Sequence, residues 1–228
     1  MDNIPFTPDD IDAILFDMDG TLIETDDANV NRWAQRLSRV IRSPEKAETL
    51  ARRLVMAAES PGNAAFTLLD LVGLDTPLLR LLIALNGGTG LPETIPPMAG
   101  VDEMVRHLAG RYKLGVVSTR TVRESEFYLE AIGVRECIDV IAGRDTTWRI
   151  KPHPQPVKWA ARQLGVDPTR CLMVGDTTVD VRAGVRAGAW TCAVLCGFGE
   201  RAELERAGAD MILDHTSLLD QWVRTGRS

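Results

Sequence analysis

Lysine is scarce in this chain. Lys46, Lys113, Lys151 and Lys158 are the only four, and arginine supplies the rest of the positive charge. The formal net charge is −6, so nothing draws the protein in general to nucleic acid or to an anionic membrane surface. An anion site must therefore gather its positive charge locally. Cysteine is sparse too. Cys137, Cys171, Cys192 and Cys196 form no C-x-x-C pair, which argues against a zinc site, and Cys171 and Cys192 sit in apolar runs as structural thiols would. Long apolar segments are missing. The longest, Leu78–Leu85, is interrupted by Arg80 and falls well short of a membrane span. No basic stretch followed by an apolar core opens the chain, so no secretory signal is expected. These absences predict a soluble, cytoplasmic protein without nucleic-acid or membrane partners, either a monomer or a homodimer. Of the three histidines, His153 reads as structural, and His107 and His215 have no site around them.

What is present is concentrated first in Ile14–Thr25, ILFDMDGTLIET. Ile14, Leu15 and Phe16 are an apolar run that ends in charge. Such a run reads as a buried strand delivering side chains to the edge of a sheet. Residues two apart on a strand face the same way, so strand geometry held to its end would bring Asp17 and Asp19 to one crevice. Two carboxylates that close repel unless a cation or a shared proton intervenes. The stretch therefore implies a metal site, an acid/base pair, or both.

Beyond it the chain changes character twice. From Thr25 to about Pro97 the apolar spacing is purely helical, as in Val30, Trp33, Ala34, Leu37, Val40 and Ile41. A connection inside an α/β unit is usually about two to six residues, so this segment reads as an inserted all-helical domain, with Gly87–Gly100 as its exit linker. After Gly100, helices and strands alternate. Strands are predicted at 12–17, 114–117, 138–142, 171–174, 190–195 and 211–213. Helices are predicted at 101–108, 123–131, 155–164, 179–187 and 217–223. The pattern implies an α/β, doubly wound, mainly parallel Rossmann-like core of residues 1–24 and 98–228, interrupted by a helical cap at 25–97.

Sheets of this kind bind ligands at the carboxyl ends of their strands, and polar residues cluster there. Ser118 and Thr119 follow LGVV, Asp176, Thr177 and Asp180 follow LMVG, and Lys151 lies in RIKPHPQP ahead of a helix. Asp17-Met18-Asp19-Gly20-Thr21 after its strand, with these three clusters in this order, resembles the four signatures of the haloacid dehalogenase superfamily. Lys151-Pro152-His153-Pro154 and the run from Gly197-Phe198-Gly199 to Gly208-Ala209-Asp210 look like its phosphoglycolate phosphatase-like branch. Most members are Mg²⁺-dependent phosphatases that pass through an aspartyl-phosphate.

The resemblance implies a role for each position. Asp17 is the nucleophile and Asp19 the general acid and base. Ser118, Thr119, Gly20 and Lys151 hold the phosphate. Asp17, Asp176 and the backbone carbonyl of Asp19 bind Mg²⁺. Thr21 braces the loop. Asp180, four residues after Asp176 and so on the same face of a starting helix, holds a metal-bound water or orients Lys151. The expected substrate is a small phosphorylated metabolite, its choice resting with the cap, where Arg32, Arg36, Arg52 and Arg53 are candidate anion contacts. A phosphomutase resembling β-phosphoglucomutase is the alternative. Phosphonatase chemistry needs a cap lysine, for which Lys46 is the candidate, and a non-enzymatic protein would be expected to lose Asp17, Asp19 or Lys151.

Overall fold

A computed structural model gives the fold, and it describes residues 4–24 and 96–225. The chain divides into two units, residues 1–25 with 93–228 and residues 26–92. The expected cap helices, with Trp33, Lys46 and the four cap arginines, lie outside the described residues.

The core is one six-stranded sheet, every neighbouring pair parallel, in the order β3-β2-β1-β4-β5-β6. The strands are β1 (Ala13–Phe16), β2 (Lys113–Val117), β3 (Val140–Ala142), β4 (Cys171–Gly175), β5 (Trp190–Val194) and β6 (Met211–Leu213). The described helices are α1 (Val101–Ala109), α2 (Val122–Ala131), α3 (Gln155–Leu164), α4 (Thr178–Ala187), α5 (Arg201–Ala207) and α6 (Leu218–Thr225). All six strands fall where the apolar runs place them. Helix α5 was not anticipated. Its sequence, RAELERA, buries only Leu204, so it has no apolar stripe to read.

Alternation along the strands builds two cores. Ile14, Phe16, Leu172 and Val174 face a layer that includes Met104 and Leu108 of α1, Leu129 of α2 and Trp222 of α6. Ala13, Leu15, Cys171 and Met173 face the other way, against Val157 and Ala161 of α3 and Ala183 of α4. The small residues on that second face let α3 and α4 approach the sheet closely. All four cysteines are free thiols. Burial pushes the Cys171 thiol up to about 12, as expected of an inert structural cysteine.

This strand order reverses direction between β1 and β4. The chain leaves β1 for β2 on one side and later crosses to β4 on the other. Ligands of doubly wound sheets bind at such a switch point, outside the carboxyl ends of the strands. Asp17 follows β1 there and Asp176 follows β4.

The crossings to the insertion are fixed to one another. Ile23 pairs antiparallel with Pro97. The Glu24 amide donates to the Pro96 carbonyl at 3.1 Å, and the Met98 amide donates to the Leu22 carbonyl at 3.1 Å. Leu22, Ile23 and Met98 are buried. The boundaries expected of the insertion, an entry linker near Ile23–Asp27 and an exit linker at Gly87–Gly100, are thereby corrected where they overlap the described residues. Ile23 and residues 96–98 are tied to one another by this backbone pairing, with Ile23 and Met98 buried and Pro96 and Pro97 exposed.

Candidate active site

The loop after β1 turns back on itself at once. The Met18 carbonyl accepts from the amides of Thr21, Leu22 and Ile23, and the Gly20 amide donates to the Ile23 carbonyl at 3.0 Å. Gly20 has φ +70°, a conformation that side chains disfavour. β1 ends at Phe16, so it is this turn, rather than a continued strand, that brings Asp19 back towards the site. Thr21, the expected brace of the loop, is held through its backbone, and its buried hydroxyl has no hydrogen-bond partner among the described residues. Its carbonyl accepts from the buried Thr216 hydroxyl at 2.8 Å, and the Cys196 thiol contacts the Gly20 carbonyl at 3.5 Å.

Lys151 stands at the centre. Its ammonium donates to Asp17 Oδ1 at 2.7 Å and to Asp180 Oδ1 at 2.6 Å, and all three residues are buried. Burial works against the lysine's charge, but Asp17 and then Asp180 more than reverse it, so its pKa is raised. Asp180 spends its other oxygen on the start of α4, accepting from the Thr177 amide at 3.1 Å and the Thr177 hydroxyl at 2.6 Å. It therefore orients Lys151 and caps a helix together. Asp176 precedes α4 rather than lying on it, which corrects the shared-helix-face expectation. The two carboxylates meet because the cap folds Asp180 back over the end of β4.

Asp176 is the most enclosed of the carboxylates. The Phe198 amide donates to its Oδ2 at 2.8 Å, while its Oδ1 is buried without a protein partner. Two glycines make the room. A β-carbon on Gly20 would lie 2.4 Å from Asp176 Oδ2, and one on Gly197 would lie 2.1 Å from it. Carboxylate oxygens of Asp17, Asp176 and Asp180 come within 4.8 Å of one another. Burial pushes the Asp17 carboxyl up, against the pull of Lys151 and with the push of Asp180 and Asp19. Burial first, then Asp180 and Asp17, raise Asp176 as well.

Three buried carboxylates around one ammonium are short of positive charge, and uncompensated buried charge is strongly unfavourable. Asp180 is committed on both oxygens. The donors left over belong to Asp17 and Asp176, above all the orphaned Oδ1. Hard oxygen donors of this kind suit Mg²⁺, so the residues fit the expected ion.

Ser118 is buried at the end of β2. Its Oγ accepts from the Arg120 amide at 3.1 Å, which leaves its O–H to donate elsewhere. Thr119 is exposed. Sequence reasoning missed Arg120 as a site residue. Its Nε donates to Asp19 Oδ2 at 2.8 Å and its Nη2 to Asp19 Oδ1 at 2.6 Å. It also missed the Phe198 amide, since a backbone donor leaves no mark on residue type. His153 accepts from the Gln155 amide through Nδ1 at 3.1 Å.

Residues 14–194 match the family of haloacid dehalogenase-like hydrolases. Pyrophosphatase PpaX of Bacillus cereus is 30% identical over 211 residues, covering 91% of this chain and 94% of that protein. A haloacid dehalogenase-like hydrolase from Streptococcus pneumoniae superposes with a TM-score of 0.68 at 20% identity, covering 94% of this chain and 99% of that one. A protein described as a predicted phosphoglycolate phosphatase from Haemophilus somnus does so at 0.61 and 18% identity, covering 93% and 97%. No helix among the described residues is long and apolar enough to cross a membrane. With the family match spanning most of the chain, the protein belongs to the haloacid dehalogenase-like hydrolases, as an enzyme of the phosphatase kind.

Proposed function

We propose that the protein is a Mg²⁺-dependent phosphatase that removes the phosphoryl group of a small metabolite through a covalent intermediate on Asp17. The observation that carries this reading is the buried set of Asp17, Lys151, Asp180 and Asp176 at the switch point of the sheet, with Asp176 Oδ1 unshared.

Asp17 and Asp176 would hold the ion, with the Asp19 carbonyl as a third donor. When bound, Mg²⁺ supplies positive charge that offsets the repulsion between an anionic phosphate and an anionic nucleophile. Lys151 adds a fixed positive charge beside Asp17, and Ser118 Oγ donates to a phosphate oxygen. An Asp17 oxygen attacks phosphorus, and the bond to the leaving oxygen breaks with its electron pair. Asp19, which takes up a proton from solvent once its hydrogen bonds with Arg120 open, passes that proton to the leaving oxygen. It then takes a proton from the water that attacks phosphorus and releases Asp17. The insertion between Glu24 and Pro96 is assigned the finer choice of substrate, as the resemblance to the helical-cap branch of the family implies.

The test is a screen of phosphate esters and anhydrides, pyrophosphate and phosphoglycolate included, with Mg²⁺ and with excess EDTA. Turnover is expected only with Mg²⁺. Undiminished turnover in EDTA would overturn the proposal.

A further inference from the structure

Arg120 and Asp19 form the second ion pair of the site, and it differs from the first. The pair of Lys151 and Asp17 is sealed, with side chains 3% and 12% exposed. The side chains of Arg120 and Asp19 are 23% and 29% exposed, so this pair lies on the side open to solvent. Both oxygens of Asp19 are occupied by the guanidinium fork. A carboxylate that must reach a leaving oxygen, and later a water, cannot do so while both oxygens are taken.

The guanidinium is nonetheless firmly mounted. It lies 4.5 Å from the ring centre of Tyr128, which is fully buried. The Arg120 amide donates to Ser118 Oγ, and its carbonyl accepts from the Arg144 amide at 2.8 Å. The next residue, Thr121, is fixed in a capping box with Glu124. The backbone is rigid, the ring supports the guanidinium, and only the fork's partner is open to exchange. That fork matches a carboxylate or a phosphate equally well. A ligand anion offers the fork the same two acceptors that Asp19 does, so the exchange replaces one bidentate pair by another.

We propose that Arg120 reads the leaving group. Without substrate it is paired with Asp19, and it passes its fork to a second anionic group beside the scissile oxygen, which frees Asp19 to serve that oxygen. The site therefore favours phosphate compounds whose leaving group itself carries a carboxylate or a phosphate. This rests on the reading of Asp19 as proton donor and acceptor.

Binding of non-hydrolysable ligands separates this inference from that reading, because it needs no turnover. Titration calorimetry with excess Mg²⁺ would compare 3-phosphonopropionate and methylenediphosphonate, which carry a carboxylate or a phosphate as second anion, with methylphosphonate, which carries none. The wild type is expected to prefer one of the first two. In Arg120→Gln that preference falls by about 10–100-fold, the usual worth of a charged hydrogen-bonded contact. In Arg120→Lys it falls less, because a point charge remains but the fork is lost. The ratio of kcat/KM for the corresponding anionic substrate over phenyl phosphate is expected to fall in parallel. No preference in the wild type, or one that survives in Arg120→Gln, would overturn the proposal. So would equal losses for anionic and neutral leaving groups, the mark of a residue that only orients Asp19. If the wild type hydrolysed no phosphate compound, the proposed activity would fall, and the binding ratios would still decide the role of Arg120.

Discussion

The Phe198 amide donates to Asp176 Oδ2 at 2.8 Å and leaves Oδ1 of the same carboxylate buried and unshared. The backbone thus fixes the carboxylate's angle, and the free oxygen is presented to the space beside Asp17. Asp176→Asn keeps an acceptor for Phe198 but removes one of three crowded negative charges. Without metal, the variant is expected to melt above the wild type, because like-charge repulsion is relieved. Adding Mg²⁺ should reverse the order. A ligand at a hundred times its Kd stabilises the native state by about 2.7 kcal/mol, and Asp176→Asn should gain little of this. Thermal melts with Mg²⁺ and with EDTA read both effects. An equal gain in the two proteins would remove Asp176 from the metal site.

Gly197→Ala tests the same carboxylate from the other side. The added β-carbon would fall 2.1 Å from Asp176 Oδ2 and 2.5 Å from its Cβ, far inside contact distance, so Asp176 must turn or the backbone must move. Changes that disturb a metal ligand from outside typically cost about 10–100-fold in affinity or activity. The expected result is a rise of that size in the Mg²⁺ concentration giving half-maximal rate. An unchanged Mg²⁺ requirement in a folded variant would show that Asp176 needs no such cradle.

Asp17 and Asp19 should separate by leaving group. Asp17→Asn removes the nucleophile, and losses of essential nucleophiles elsewhere run to about 10⁴–10⁶-fold in kcat. The rate is expected to collapse for every substrate while the melting transition stays cooperative. Asp19→Asn should cost about 10²–10⁴-fold on an alkyl phosphate, whose leaving oxygen needs a proton. The cost should be smaller on p-nitrophenyl phosphate, whose leaving group needs none. Asp17→Asn activity within tenfold of wild type would rule out the covalent route. Equal Asp19→Asn losses on both substrates would rule out the acid role, provided single-turnover kinetics place the loss in the first step.

How much of this was legible in the sequence follows from what each residue is asked to do. Strands buried on both faces must be apolar throughout, so Ile14–Phe16 and Leu172–Val174 announced themselves. Carboxylates placed immediately after them were equally visible. Helix α5 was not, because a surface helix held by Leu204 alone carries no periodic signal. Arg120 was invisible for a different reason. It is one arginine among many, and its partner Asp19 lies 101 residues away, so nothing in the sequence marks the pair. Lys151 was found only through its place in the order of motifs. The chain's linear pattern records which residues sit at strand ends, but not which of them face each other.

The final prediction concerns the insertion. The Glu24 amide and the Pro96 carbonyl are 3.1 Å apart, and Ile23 pairs with Pro97 just inside them. The two chain ends left by removing residues 25–95 would therefore be neighbours, and a short Gly/Ser bridge can join them without stretching. Closing a short flexible loop costs little, so this core is expected to fold, with a cooperative melt as the check. Ser118, Lys151, Asp17 and Asp19 all remain in it. Turnover of p-nitrophenyl phosphate should persist, because that substrate asks only for the phosphate site. The preference for a second anion, assigned to Arg120 in the core, should persist, while discrimination among compounds that share the same second anion should collapse towards a common low kcat/KM, because that finer choice is proposed for the insertion. The measurement is the ranking of kcat/KM over a panel of phosphate compounds in the two proteins. A folded core that kept the wild-type ranking among compounds sharing the same second anion would place that finer specificity in the core loops instead.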